Sequence, residues 1–257
     1  MDLELAGKTA IVTGAGRGIG FATVTALLRE GASVVGASQE ETEGTRSLAG
    51  DDRFRFLGVD LSQADAAARL VGFAGDRIDV VVNNVGSAPA RPGGFGSIDD
   101  EQWMQTFTLN LLAAVRVCRA ALPLMGDGGA IVTVASENSL LPDPLVMDYS
   151  AAKAGLLSFS KALSKEVAGL GIRVNSVSPG PVATALWLGG GGVAETVSAA
   201  TGATPEDVRK GAEASMPTGR FTRPEEVADL VAVLASPRFG NLTGADVVID
   251  GGLRQTI

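Results

Sequence analysis

Short runs of β-branched residues alternate with longer amphipathic stretches along most of the chain. The runs are residues 9–13 (Thr-Ala-Ile-Val-Thr), 33–35 (Ser-Val-Val), 78–82 (Ile-Asp-Val-Val-Val), 130–134 (Ala-Ile-Val-Thr-Val), 173–177 (Arg-Val-Asn-Ser-Val) and 246–249 (Asp-Val-Val-Ile). Residues 53–59 supply a further strand ahead of Asp60. Runs this rich in Val and Ile suit strands covered on both faces, and helical-length spacers between them suit crossover connections. The pattern predicts an α/β, doubly wound parallel sheet of about seven strands, with helices on both faces.

Two helical patterns, residues 99–125 and 147–168, are longer than a crossover requires, which leaves a second face for a neighbouring subunit. No Pro- or Ser-rich linker divides the chain, so residues 1–257 are expected to form a single domain. Two segments break the alternation. Residues 87–97 are rich in Pro and Gly, and residues 178–219 begin Ser-Pro-Gly-Pro and include Gly189 to Gly192 in a row. Both follow strands at their carboxyl ends, where ligands bind open α/β sheets, so they are expected to be loop and lid material, with the lid at 185–218.

Composition removes several chemistries. A formal net charge of -8 with no basic run argues against a nucleic-acid partner. The most apolar stretch, residues 109–125, carries Arg116 and Arg119, and the start Met1-Asp2-Leu3-Glu4-Leu5 is acidic; neither a membrane nor an export signal is expected, which places the chain in the cytoplasm. Cys118, the single cysteine, reads as a buried structural thiol. With His absent altogether, imidazole bases, Ser-His-Asp hydrolysis and His-zinc sites are excluded, and no metal is expected.

The segment Thr13-Gly14-Ala15-Gly16-Arg17-Gly18-Ile19-Gly20 leaves the first strand and opens the first helix, the setting in which a Gly-rich turn receives a dinucleotide pyrophosphate. That makes the expected sheet a Rossmann fold binding a nicotinamide cofactor. The second strand ends at Ser38-Gln39, without the carboxylate that binds a ribose 2′-hydroxyl, and Arg17 is available to pair with a 2′-phosphate; NADP(H) is therefore favoured over NAD(H). The neighbouring Glu40, Glu41 and Glu43 pull the other way, and Arg17 is equally readable as a solvated loop residue.

Together with Asp60, Asn83-Asn84-Val85-Gly86, Asn110, Ser136, Tyr149-x3-Lys153, Asn175, Pro179-Gly180-x3-Thr184 and Asp250-Gly251-Gly252, the glycine turn resembles the short-chain dehydrogenase/reductase family over nearly the full length. The resemblance implies a catalytic group of Asn110, Ser136, Tyr149 and Lys153. Tyr149 and Lys153 are four residues apart and share a helix face, so the adjacent ammonium and a bound oxidised nicotinamide are together expected to lower the phenol pKa. Ser136 would polarise a carbonyl oxygen, Asn110 would hold a water of the proton relay, and Lys153 would also reach the nicotinamide ribose. Cofactor contacts are implied at Gly14, Gly16, Arg17, Gly18, Ile19, Gly20, Ser38, Gln39, Asp60, Leu61, Asn83, Val85, Gly86, Tyr149, Lys153, Pro179, Gly180, Val182 and Thr184. Asp60 would accept from the adenine amino group, and Asn83 would lie beside the adenosine.

Val85 and Ala135 depart from the family pattern, which more often has Ala and Ser there, and Glu137-Asn138-Ser139 is polar where many relatives are apolar. These residues suggest a polar, oxygen-rich substrate contacted by Ser136 and Asn138, and are equally readable as hydrogen-bonding the loop itself. Trp187 precedes four glycines and is readable as a ring plane over a ligand, as packing, or as a subunit contact. The expected activity is NADPH-dependent reduction of a polar cyclic or polycyclic ketone, such as an aromatic polyketide intermediate. A 3-oxoacyl thioester reductase, a secondary-alcohol dehydrogenase and a non-catalytic NADP(H) sensor are the alternatives. A homotetramer is expected by family analogy, with a dimer next.

Overall fold

The computed structural model describes residues 1–255. Its strands are β1 (Thr9–Thr13), β2 (Ser33–Ser38), β3 (Phe54–Gly58), β4 (Val80–Asn83), β5 (Ala130–Val134), β6 (Arg173–Pro179) and β7 (Asp246–Ile249). They form one seven-stranded parallel sheet in the order β3-β2-β1-β4-β5-β6-β7, the doubly wound Rossmann arrangement. The order reverses beside β1, where Ala10 stands in register with Val34 on one side and Val80 on the other.

Side chains alternate between the two faces with period two, and each face has its own core. Ala10, Val12, Val34, Val82 and Val132 pack towards helices α1 (Gly18–Arg29) and α10 (Pro224–Ala235), through Val24, Leu27, Val231 and Leu234. Ile11, Val35, Val81 and Ile131 pack towards α3 (Ala66–Ala74), α5 (Ala113–Ala121) and α6 (Met147–Val167), through Leu70, Val71, Val117, Leu163 and Val167. Burial of each such aliphatic side chain contributes about 1.5–3 kcal/mol. The strands end where backbone groups need other partners. Arg173, almost fully buried, donates to the carbonyls of Leu234, Ala235 and Ser236, closing the C-terminal end of α10.

Three local differences from the sequence pattern have physical causes. Ile78 falls outside the fourth strand because its N–H donates to Leu124 O, and β4 begins only at Val80. β2 and β6 run on to Ser38 and Pro179, since their parallel neighbours β3 and β7 continue the ladder that far. The long run of residues 99–125 is a chain of α4 (Asp100–Phe107), a π turn (Thr108–Leu112) and α5, started by the side chain of Asp99, which accepts from Gln102 N. This run, Asp100–Leu124, is long and apolar enough to cross a membrane by composition. Here Ala113, Ala114, Val117, Cys118 and Ala121 are buried in the core instead.

The segment 178–219, read from its glycines and prolines as loop, contains α7 (Ala185–Leu188), α8 (Val193–Thr201) and α9 (Pro205–Ser215). α9 has the capping signals of an ordinary helix: Thr204 accepts from Asp207 N and Pro205 occupies the first turn. Short helices without a buried apolar stripe are weakly marked in sequence.

Candidate active site

The turn from β1 into α1 lies at the carboxyl edge of the sheet beside the point of strand reversal. Gly14 has φ 67°, and a Cβ on Gly20 would collide with the Gly14 carbonyl oxygen, so both positions require glycine. The turn is locked from β4. Thr13 Oγ1 accepts from the N–H groups of Asn84 (2.9 Å) and Val85 (3.1 Å), and Asn84 Nδ2 donates to Thr13 O at 2.9 Å. Arg17, the residue before α1, makes no side-chain cap, and the first turn of α1 has no acidic residue. The helix therefore presents unoccupied N–H donors and the positive end of its dipole at a surface no side chain can fill, which fits a pyrophosphate.

Around this turn the other expected contacts assemble. A Cβ on Gly16 would stand 2.8 Å from Ser38 Oγ, and Thr42 Oγ1 donates to Gly16 O at 2.7 Å. Ser38 Oγ donates to Glu40 O at 2.8 Å, so its proton is already directed at the backbone, while the Arg17 side chain is exposed. Asp60 accepts from Ser62 N at 2.9 Å; chiefly through this bond, with Ser62, Gln39 and Gln63 side chains assisting, its carboxyl is held below the usual range. A Cβ on Gly18 would stand 3.1 Å from Thr184 Cγ2, so the segment after β6 faces the glycine turn. Gly180 lies against the Asp250 backbone, and Val182 is buried.

Three side chains in the expected cofactor set point elsewhere. Leu61 is buried in the core with α3, and Ile19 packs against the core on the other face. Asn83 Nδ2 donates to Cys118 Sγ at 3.2 Å, and its Oδ1 is buried without a hydrogen-bond partner. Only the backbones of these residues are offered to a ligand. The contact also confirms Cys118 as a buried thiol, pushed up to about 11 by burial.

The catalytic candidates meet on the opposite side of β4 and β5. Ser136 follows β5, and α6 brings Tyr149 and Lys153 to one face, with Lys153 Nζ 5.7 Å from the Tyr149 ring centroid. Lys153 Nζ donates to Val134 O at 2.8 Å and is buried, which pulls its pKa down to about 8. A Cβ on Gly86 would stand 2.6 Å from Asn110 Oδ1 and 3.5 Å from Lys153 Nζ, which places Asn110 within the same group. Asn110 sits in the π turn, and both ends of its amide are engaged: Nδ2 donates to Ser87 O and Thr106 O at 3.0 Å, and Oδ1 accepts from Ser87 N at 3.1 Å. π turns commonly occur at functional positions.

The lowered phenol pKa expected for Tyr149 draws on a bound oxidised nicotinamide as well as on Lys153; in the chain without cofactor the balance runs the other way. Burial pushes Tyr149 above its ordinary pKa, the Ser136 hydrogen bond opposes this, and the charge of Glu137 reinforces it. Lys153 does not reverse the shift, because its ammonium is turned to Val134 O and faces the ring rather than the phenol oxygen.

Asn138 lies beside Ser136: its N–H donates to Ser136 Oγ at 3.2 Å, and its Oδ1 is 3.3 Å from the same hydroxyl. Trp187 packs at 5.2 Å, tilted by 59°, against Phe221 and is half-buried. Among the described residues no group of three or more His, Cys, Asp or Glu could hold a metal ion.

Sequence reasoning missed two groups. Asn84 was passed over in favour of Asn83, although it is Asn84 that ties the glycine turn to β4. The other is a buried cluster behind Tyr149. Asp148 Oδ2 accepts from Arg91 Nη2 (2.7 Å), Arg91 Nε (3.2 Å) and Thr106 Oγ1 (2.7 Å), and Arg91 N donates to Leu145 O at 2.7 Å. These bonds hold the 87–97 segment, loop as expected, to the first turn of α6. The available signal was a lone arginine inside a Pro/Gly-rich stretch and an aspartate directly before the tyrosine.

A family model described as enoyl-(acyl carrier protein) reductase matches residues 14–254. The chain is 36% identical to D-threitol dehydrogenase of Mycolicibacterium smegmatis, over 98% of this chain and 94% of that one. It is 34% identical to the 3-oxoacyl-[acyl-carrier-protein] reductase of Thermotoga maritima, over 98% and 99%. Among solved structures, L-sorbose reductase of Gluconobacter frateurii complexed with NADPH and L-sorbose superposes with a TM-score of 0.90 at 31% identity, over the whole of both chains.

Proposed function

The chain belongs to the short-chain dehydrogenase/reductase family and is an NAD(P)(H)-dependent oxidoreductase acting between CH–OH and C=O groups of small molecules; from that premise we propose that it is an NADPH-dependent ketoreductase of polar, hydroxylated ketones. The observation that carries this reading is the polar turn at the catalytic serine, where Glu137 and Asn138 lie within 3.4 Å of Ser136 Oγ. Relatives named for threitol and sorbose support a hydroxyl-rich substrate. An aromatic polyketide intermediate stays within this class. The acidic chain offers little to an acidic carrier protein, which ranks the acyl thioester second.

The residues present fit the cofactor. The N–H groups at the start of α1 would hold the pyrophosphate, Asp60 the adenine, Lys153 the ribose hydroxyls, and the 179–184 segment the carboxamide. Bound there, the nicotinamide supplies the hydride. Arg17 and the lack of a carboxylate at Ser38 favour NADP(H), as does the NADPH complex of the sorbose reductase. Ser136 donates to the carbonyl oxygen and Tyr149 protonates it as charge develops. Lys153 and the backbone around Asn110 resupply the proton.

Residues 185–218 form the lid of a single-domain subunit in this reading, and the subunit assembles as a homotetramer. The half-buried edge strand β7 and the exposed Met104 on α4 are the surfaces that support assembly. The test is NADPH oxidation with hydroxy ketones, ketoses, hydroxylated polycyclic ketones and acyl thioesters, with Tyr149→Phe as control. Turnover on the hydroxylated ketones that falls about 100- to 10,000-fold in the variant is expected. Turnover confined to thioesters would refute the substrate reading.

A further inference from the structure

Glu137 directly follows the serine and opens a short 3-10 turn, Glu137–Ser139, in which the Asn138 N–H donates to Ser136 Oγ. Its Oε2 lies 3.4 Å from Ser136 Oγ, and its charge reaches the Tyr149 phenol. The carboxyl thus stands beside the two groups that would bind a carbonyl oxygen. Its environment is poor in compensation. Burial raises its pKa to about 7, the charges of Asp250 and Asp143 add to that, and its own backbone N–H and the Ser136 hydroxyl oppose it.

Ser136 has one proton to give. Once it donates to a substrate carbonyl, Glu137 loses a donor while remaining half-buried, and a carboxyl shielded from water without a partner is costly. A hydroxyl on the carbon next to the carbonyl would replace it, because vicinal oxygens lie within one hydrogen-bond length of each other and would span the Ser136–Glu137 pair. A ketone without that hydroxyl leaves the carboxyl unpartnered.

We propose that Glu137 is a specificity-determining residue that accepts a hydrogen bond from the hydroxyl adjacent to the reacting carbonyl, so that the substrate class is α-hydroxy ketones and the products are vicinal diols. This rests on the ketoreductase reading above and narrows it. Asn138, on the other side of the Ser136 hydroxyl, is then left to orient the serine and the distal part of the substrate.

The experiment compares kcat/KM for matched pairs, 2-hydroxycyclohexanone against cyclohexanone and acetoin against 2-butanone, in the wild-type chain, Glu137→Gln and Glu137→Ala. Hydrogen bonds to charged acceptors are strong enough for an expected wild-type preference of about 10- to 100-fold for the hydroxy ketone. That ratio should collapse towards one in Glu137→Ala and fall partway in Glu137→Gln, whatever happens to the absolute rates. A wild-type ratio near one overturns the proposal even if neither variant folds, as does a preference that both variants keep. Failure of the wild type on every carbonyl compound would instead sink the ketoreductase reading, and this inference with it.

Discussion

Removing the Asp148 carboxylate should cost this protein far more than its surface ion pairs would. Asp148 is fully buried, the Arg91 side chain is 14% exposed, and three donors converge on Oδ2 at 2.7, 2.7 and 3.2 Å. In Asp148→Ala the guanidinium and the Thr106 hydroxyl would stay behind without their acceptor. Breaking such a pair from one side costs about 3–5 kcal/mol. In a chain of this size each kcal/mol lowers Tm by about 2–4 °C, so a loss of about 6–20 °C is expected. Scanning calorimetry at matched protein concentration measures it, with the exposed pair Arg209–Glu206 as internal comparison; Glu206→Gln should change stability by less than about 1 kcal/mol. The double variant Arg91→Met/Asp148→Leu should recover much of the loss, because apolar replacement removes both desolvation costs. Burial alone would raise the Asp148 pKa, but the bonds from Arg91 and Thr106 together with the Arg91 charge hold it below the usual value. Its stabilisation is therefore present above the unfolded carboxylate pKa, near 3.9, and is lost as pH falls through the lower folded value. A Tm within about 2 °C of wild type in Asp148→Ala would refute the reasoning, since a drop that small corresponds to no more than about 1 kcal/mol.

Lys153 should titrate near pH 8 in the chain without cofactor, against an ordinary 10.5, as followed by NMR of labelled lysine; its favourable contribution to folding is full above the ordinary value and lost as pH falls through about 8, and a titration above pH 10 would contradict its burial. Gly20→Ala should abolish tight NADPH binding, because the added methyl meets the Gly14 carbonyl and the Asn84 amide; fluorescence titration with unchanged affinity would show that the turn can relax. Ser38→Asp should shift the preference towards NADH at least about tenfold, by repelling a 2′-phosphate and accepting from a 2′-hydroxyl, and an unchanged NADPH/NADH ratio of kcat/KM would remove position 38 from cofactor selection.

Much of the candidate site was legible because it is built from local rules. The glycines between a strand and a helix were readable from their setting, the serine, tyrosine and lysine from their match to the family pattern, and the structure brings Ser136, Tyr149, Lys153, Asn110 and Gly86 together. Position along the chain could not tell which way a side chain turns. Asn83 and Asn84 are adjacent and identical, yet one turns to Cys118 in the core and the other clamps the glycine turn, because successive residues of a strand face opposite sides. The contact of Trp187 with Phe221, distant in sequence, is likewise invisible in local spacing.

The order of apolar runs and helical spacers was enough by itself to determine a doubly wound parallel sheet, since burial on both faces and right-handed crossovers leave few other ways to cover those strands. The set of residue types capable of acid–base chemistry was determined in the same way, by the absence of histidine and the presence of a single tyrosine. Protonation and partnership were decided only in three dimensions. In the chain without cofactor, burial raises the phenol pKa although a lysine stands four residues away, because desolvation depends on everything packed around the group while spacing records only one neighbour. The Arg91–Asp148 bond likewise joins residues 57 positions apart, a contact that exists only after the sheet has brought α6 beneath the loop that follows β4.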